Sequence, residues 1–307
     1  MNPYLLSVLL GIVEGLTEFL PVSSTAHLRI VERAMGLDLA SGYWKMYSIV
    51  IQLGAILCVP IYFRARLTEF FTTFPGGPDG RHNLWNHPVT LTGVAFVVTA
   101  GPSYLLAKTI GKNLESLYVM ATSLIVGGIV MWIVDAMYGV PRVVSANSPT
   151  VRSVGAATAG YPTETVYQMT LPQSIWIGAC QILSAVFPGV SRSMSSIAAG
   201  QVAGLSRPAA LEFSFLVSIP TMFMATGYSF YDSLRHKPGA GGKIGVAPRN
   251  AEEWAVLAIG FVVSFVVAYL VVAWFMRWVR QRGFVPFAVY RILVGAAVLA
   301  WVLKSGV

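Results

Sequence analysis

Apolar positions along this chain gather into runs longer than a soluble core element needs. Six runs are long enough to cross a bilayer as helices, at about 20 residues per span. They cover approximately Trp44–Phe63, Pro88–Ala107, Leu117–Tyr138, Leu211–Tyr231, Trp254–Met276 and Pro286–Leu303. Aromatic residues near their ends, among them Trp44, Trp85, Tyr138, Tyr231, Trp254 and Trp278, fit an interfacial belt. Three polar connections are rich in Pro, Gly, Ser or Asn: Phe74–His87, Pro141–Thr170 and His236–Asn250. Two further runs, Tyr4–Met35 and Gln173–Ala203, are apolar but broken. The first breaks at Pro21-Val22-Ser23-Ser24-Thr25 and the second at Pro188-Gly189-Val190-Ser191-Arg192-Ser193. Pro followed by a Ser-rich turn stops a helix and frees backbone groups. In hydrocarbon those groups must face protein or a wet cavity. Both segments are therefore expected to be re-entrant helix-turn-helix hairpins.

Composition supports this reading. The chain has 307 residues, 55% hydrophobic and 11% charged, against roughly 25% charged in a soluble domain. An ordinary soluble enzyme, a disordered chain and a disulfide scaffold are excluded. The expected fold is an all-α polytopic membrane protein, a single integral domain over 1–307. The net charge of +8 lacks the basic stripe of a nucleic-acid binder, so no nucleic acid is expected. Clusters such as Arg64/Arg66 and Arg277/Arg280/Arg282 instead lie just beyond apolar runs, facing lipid headgroups. No Lys or Arg precedes Arg29, so a cleavable signal peptide is not expected. Nine basic residues fall on each side of this span model, which leaves the orientation open.

The two broken segments align at an offset of 167 residues, matching Gly11 with Gly178, Glu14 with Gln181, Pro21 with Pro188 and Ser24 with Ser191. Halves of about 1–140 and 171–307 would each hold one hairpin and three spans. Three is odd, so the second half would enter the membrane upside down, an inverted-topology repeat. The two tips would then meet near the midplane.

The charges expected away from loops and span ends are Glu14, Glu18 and Arg192, with His27 beside them. Glu14 and Glu18 are four apart and share a helix face. An ionised group at that depth costs roughly 2.5–3.5 kcal/mol, so such a pair points to a divalent cation, Mg²⁺ or Ca²⁺, or to a cationic partner. Ser23, Ser24 and Thr25 lie close in sequence to His27, which suits nucleophilic catalysis; Ser24 or Thr25 could equally cap the second short helix. Gly189, Ser191, Arg192 and Ser193 form a Gly-containing turn that suits a phosphate, with Arg192 as its bidentate partner. Glu14 or Glu18 could pair with the same arginine. Gln52 and Glu212 are polar positions in or beside spans. The inventory fits phosphoryl transfer or phosphoester hydrolysis. The competing class is an inverted-repeat transporter or lipid flippase. Small-residue pairs such as Gly127-Gly128 are compatible with helix contact within one chain or in a homo-oligomer.

The stretch from Glu14 to His27, EGLTEFLPVSSTAH, resembles the first signature of the bacterial undecaprenyl pyrophosphate phosphatases of the bacitracin-resistance type. Pro188–Ser193 resembles their second signature, and Val50–Gly54 and Glu212–Phe215 resemble further family stretches. The resemblance implies a metal-dependent phosphatase of the bacterial cytoplasmic (inner) membrane, its site open to the periplasm. Its substrate would be the C55 polyprenyl pyrophosphate lipid, recycled for peptidoglycan synthesis. Glu14 and Glu18 would hold the metal. Ser23, Thr25, Gly189, Ser191, Arg192 and Ser193 would bind phosphate. Ser24 would be the preferred nucleophile with His27 as its base or acid; His27 or water are rival nucleophiles. Two positions depart from the second signature, Met194 where the family has Gly and Ser196 where it has Thr. Ala26 stands where the first signature often has Gly.

Overall fold

A computed structural model describes residues 2–37, 42–110, 116–139, 142–143, 159–235 and 248–305. Lys112, between the second and third expected runs, and Arg152, Lys237 and Lys243 of the two longer connections lie outside them, as does most of the Pro141–Thr170 stretch. Regular secondary structure in the described residues is helical apart from a two-residue ladder of Arg142–Val143 with Ala159–Gly160 and one isolated bridge, Thr163 with Leu205.

In chain order the helices are α1 (Pro3–Thr17), α2 (Ser24–Ala34), α3 (Gly42–Tyr62), α4 (Arg64–Thr72), α5 (Pro88–Ile110), α6 (Leu117–Tyr138), α7 (Leu171–Val186), α8 (Arg192–Val202), α9 (Arg207–Arg235), α10 (Ala251–Arg282) and α11 (Val285–Ser305). Six of these, α3, α5, α6, α9, α10 and α11, are long and apolar enough to cross a membrane. They match the six expected spans, with α9 and α10 running further into the polar flanks. The short helix α4 falls in a segment with no strong apolar period, and sequence reading passes over it.

The two broken segments form helix-turn-helix hairpins, α1 with α2 and α7 with α8. With 15 residues, α1 is about 22 Å long, short of the roughly 30 Å hydrocarbon core. Its start is fixed by Asn2, whose side chain accepts from the Tyr4 N–H at 2.9 Å, and by Pro3 in the first turn. At the start of α7, Gln173 Oε1 accepts from the Thr170 N–H at 2.8 Å.

Glycines set how closely the helices approach. A side chain at Gly11 would strike the Gly260 carbonyl of α10, and one at Gly178 would strike the Ala95 carbonyl of α5. Around these contacts Ser7 Oγ donates to the Val256 carbonyl at 2.6 Å, and Ser174 Oγ donates to the Leu91 carbonyl at 2.6 Å. The contacts of α1 on α10 therefore recur, residue for residue, in α7 on α5. The α6–α11 pair repeats the pattern within itself: Gly128 faces the Ala288 carbonyl and Gly295 the Ala121 carbonyl. The Gly127-Gly128 pair thus serves a contact inside the chain.

One buried carboxylate near the end of α6 ties it to α8, α9 and the turn between α10 and α11. Asp135 Oδ1 accepts from Arg207 Nε at 2.8 Å and Gln201 Nε2 at 2.9 Å. Its Oδ2 accepts from Arg207 Nη2 at 3.1 Å and from the Phe284 N–H at 2.9 Å. Removing a buried, multiply bonded acceptor strands its donors. Asp135→Ala is expected to destabilise the fold by about 3 kcal/mol or more, read as a drop in melting temperature in detergent, with Asp135→Asn losing less. A melting temperature unchanged in Asp135→Ala would show that the cluster contributes nothing.

Candidate active site

The two hairpin turns meet. Residues 18–23 link α1 to α2, and residues 187–191 link α7 to α8. Ser193 Oγ donates across the junction to the Leu20 carbonyl at 3.1 Å. Each turn ends in a serine with a left-handed backbone, Ser23 and Ser191, both at φ 73°. These are the only non-glycine residues with positive φ among the described residues, and backbone strain of this kind collects at functional sites. Each serine caps the following helix, Ser23 toward the Ala26 N–H at 3.5 Å and Ser191 toward the Met194 N–H at 3.3 Å. The structural equivalent of Ser191 is thus Ser23, one residue from the Ser24 that sequence alignment pairs with it. With Ser23 as the cap, the Ser24 hydroxyl is left for chemistry.

That hydroxyl donates to Glu18 Oε2 at 2.5 Å. Glu18 Oε1 accepts from Arg192 Nη2 at 2.5 Å, an ion pair that joins the two hairpins. Glu18 is therefore the partner of Arg192, and Glu14 is not. The Glu14 carboxylate is fully buried, and both its oxygens lack a hydrogen-bond donor. Arg192 Nη1 is also buried without an acceptor. An unpaired buried carboxylate beside an unsatisfied guanidinium N–H is costly unless a ligand completes both. Among the described residues no three His, Cys, Asp or Glu side chains gather into a metal-binding group. Two carboxylates with the other positions left to phosphate and water is how Mg²⁺ is commonly held, so Glu14 and Glu18 fit such an ion.

His27 does not reach Ser24. Its Nδ1 lies 2.8 Å from the Ser23 carbonyl, an acceptor, so Nδ1 carries the proton. Its Nε2 then accepts from the Tyr290 hydroxyl at 2.8 Å, and the two rings stack at 5.6 Å between centroids. Thr25 is exposed and engages none of these groups. Gly189, at φ 93°, presses on α6, where a side chain would strike the Met120 carbonyl. Ser191 and Ser193 share a hydroxyl contact at 3.1 Å, and Ser196 pairs with Ser214 of α9 at 2.6 Å. The bulk of Met194 is taken up against Gly127, which has no side chain to oppose it. Glu212 accepts from Arg66 at 3.1 Å, and Gln52 is half-buried.

Sequence reading missed Arg291, which lies mid-span in α11 and is fully buried. Its Nη1 donates to the Pro21 carbonyl at 2.9 Å. Its Nη2 donates to the Gly189 and Val190 carbonyls at 3.0 and 2.9 Å and to Ser123 at 3.3 Å, while Nε reaches Leu124 at 3.4 Å. One guanidinium thus holds both turns and α6, with carbonyls alone as partners. Asp135 is a second charge inside an expected span. Tyr290, also missed, has no sequence signal of its own. For Arg291 the signal was available: an ionisable residue inside an apolar run.

The model of the family described as "Bacitracin resistance protein BacA" matches residues 7–297. A protein of Koribacter versatilis (strain Ellin345) named "Undecaprenyl-diphosphatase" is 61% identical over 304 residues, 99% of this chain and 100% of its own length. Proteins of the same name from Caldanaerobacter subterraneus subsp. tengcongensis and Bradyrhizobium sp. (strain ORS 278) are 36% and 37% identical. They align with 95% and 96% of this chain, and with 93% and 96% of their own lengths.

Arg291→Lys keeps the charge and loses the fork that reaches both turns. Amide exchange at Val22 and Val190 is expected to accelerate by about tenfold or more as the turn carbonyls lose their donors. Exchange unchanged at both amides would show that the turns hold without it.

Proposed function

The chain belongs to the bacitracin resistance protein family, and on that footing we infer that it is an undecaprenyl-diphosphatase. It is a multi-span membrane hydrolase that converts undecaprenyl pyrophosphate to undecaprenyl phosphate and inorganic phosphate. The observation that carries the reading at the level of residues is the Ser24–Glu18–Arg192 chain across two hairpin tips, beside the unpaired carboxylate of Glu14.

The hairpins are re-entrant and the two halves are inverted copies, supported by the equivalent α1–α10 and α7–α5 contacts. The protein resides in the bacterial cytoplasmic membrane with its site open to the periplasm, as the family resemblance implies, and returns the lipid carrier to peptidoglycan synthesis.

The pyrophosphate head lies between the tips while the isoprenoid follows the apolar helices. Arg192, through its unsatisfied Nη1, takes the terminal phosphate, and Ser191 and Ser193 line the same turn. As phosphate oxygens compete for the guanidinium, Glu18 is released to accept the Ser24 proton. Ser24 Oγ attacks the terminal phosphorus, and the bond from that phosphorus to the bridging oxygen breaks. His27, protonated at Nε2 from solvent, passes that proton through the Tyr290 hydroxyl to the departing undecaprenyl phosphate and returns to its neutral form. Water then hydrolyses the serine phosphate ester. Glu14 and Glu18 would hold a divalent cation, Mg²⁺ or Ca²⁺, whose charge would neutralise the phosphate oxygens.

Purified protein is expected to release phosphate from farnesyl pyrophosphate, and a chelator should stop it. Ser24→Ala and Arg192→Ala should each lose about 100-fold or more in turnover. Quenched reactions should carry phosphate on Ser24; label on His27 instead would overturn the nucleophile assignment. Near-normal rates in either variant would remove that residue from the site.

Tyr290→Phe keeps the stacked ring and deletes the hydroxyl on His27 Nε2. Turnover should fall by about tenfold with KM little changed, and the pH profile should shift, as for loss of one proton-transfer partner. An unchanged profile would sever Tyr290 from the chemistry.

A further inference from the structure

A second cleft lies where α3 and α10 end and α4 and α9 begin. Tyr62, Phe63, Arg66, Glu212, Met276, Arg277 and Arg280 line a volume of about 490 Å³. That is within the range of small-ligand sites, about 300–1,000 Å³. None of these residues belongs to the turn-tip site. Edge-to-face rings fill the interval between them, Phe63 on Phe215 at 6.2 Å and Phe215 on Phe19 at 5.3 Å.

The cleft has a built wall and an unneutralised rim. Arg66 is fixed by Glu212 at 3.1 Å and Glu69 at 3.3 Å, with its guanidinium over the rings of Phe70 and Tyr167 at 5.3 and 5.2 Å. Arg277 and Arg280 are exposed, and neither has a carboxylate partner among the described residues. Neighbouring Arg282 turns instead onto the ring of Trp278 at 5.4 Å. The floor is apolar, with Phe63 and Met276 buried. Two guanidiniums without a carboxylate partner, Arg277 bonded only through Nε to the Ala273 carbonyl at 3.2 Å, stand above an apolar floor at the end of a membrane-spanning bundle and match a phosphate joined to acyl chains.

We propose that this cleft is a phosphate-binding site distinct from the turn tips, and that it takes the phosphate of an anionic membrane lipid. Arg277 and Arg280 engage the phosphate oxygens, while Phe63, Tyr62 and Met276 receive the start of the acyl chains. Glu212 keeps Arg66 in place and sets the acidic edge that turns the headgroup toward the rim.

The test uses the full chain in detergent, with bound lipid counted by native mass spectrometry. Dihexanoyl phosphatidylglycerol is the probe, dihexanoyl phosphatidylcholine the zwitterionic control and inorganic phosphate the acyl-free control. The protein should retain one phosphatidylglycerol in preference to phosphatidylcholine. The pair Arg277→Gln with Arg280→Gln should weaken retention by about tenfold or more, as for loss of charge-assisted contacts, with the ligand-free melting temperature unchanged. The pair Arg277→Lys with Arg280→Lys keeps the charge and should stay within about threefold of the parent, since Lys still binds phosphate as a point charge. Equal retention of both lipids, or undiminished phosphatidylglycerol binding in the glutamine pair, would overturn the site. Inorganic phosphate displacing the lipid at equal concentration would overturn the lipid as its source.

Discussion

A helix broken inside a packed bundle leaves carbonyls that need donors, and this protein breaks two helices where they meet. The carbonyls of Pro21, Gly189 and Val190 all turn to Arg291. A guanidinium suits this role because its donors are fixed in a planar fork and remain protonated. The tips stay together because one cation serves both, and the site exists because the tips stay together. The empty side of Gly127 follows from the same demand, since a side chain there would collide with the Arg291 guanidinium.

Arg291 being satisfied by carbonyls leaves the remaining charges free to arrange around each other. Arg192 has Glu18, Glu18 has Ser24, and Glu14 has no donor. If Arg291 drew on a carboxylate, that distribution would collapse into a second ion pair. The scaffold cation, Arg291, and the cation paired with Glu18, Arg192, are thus separate residues with separate partners. Ser23 adds to the separation by taking the capping role, so that Ser24 need not.

Much of the fold was legible because membrane spans announce themselves by length and apolarity. All six spans and both broken hairpins stand out in the sequence, the latter because Pro and Ser fall together at each break. The charged members of the site were legible for the same reason, since Glu14, Glu18 and Arg192 are rare types in apolar surroundings. What stayed hidden depends on through-space partners. Nothing local distinguishes Ser23 from Ser24 as the cap, because the choice follows from a left-handed backbone at Ser23. Tyr290 has no sequence signal, and only its contact with His27 reveals it. The proximity of His27 and Ser24 in sequence suggested a pair, but the first turn of α2 directs them to different partners, Tyr290 and Glu18.

The two hairpins share packing contacts and divide the charges. Ser7 and Ser174 make the same bond to the helix they pack on, and Gly11 and Gly178 the same close approach. One turn beyond Gly11 and Gly178, the halves part. Gln181 of the second hairpin accepts from Thr99 at 3.0 Å and so is tied to α5. Glu14 stands at the matching place in the first hairpin, but Ser264 of α10 donates to the Ile51 and Phe261 carbonyls instead. The first half thereby keeps an untethered carboxylate where the second has a neutral amide locked to its scaffold. The second half in turn carries the guanidinium, Arg192, where the first has Ser24. A two-fold scaffold alone would put like charges opposite each other at the junction. Splitting acid and base between the two hairpins gives attraction across that junction, the Glu18–Arg192 ion pair.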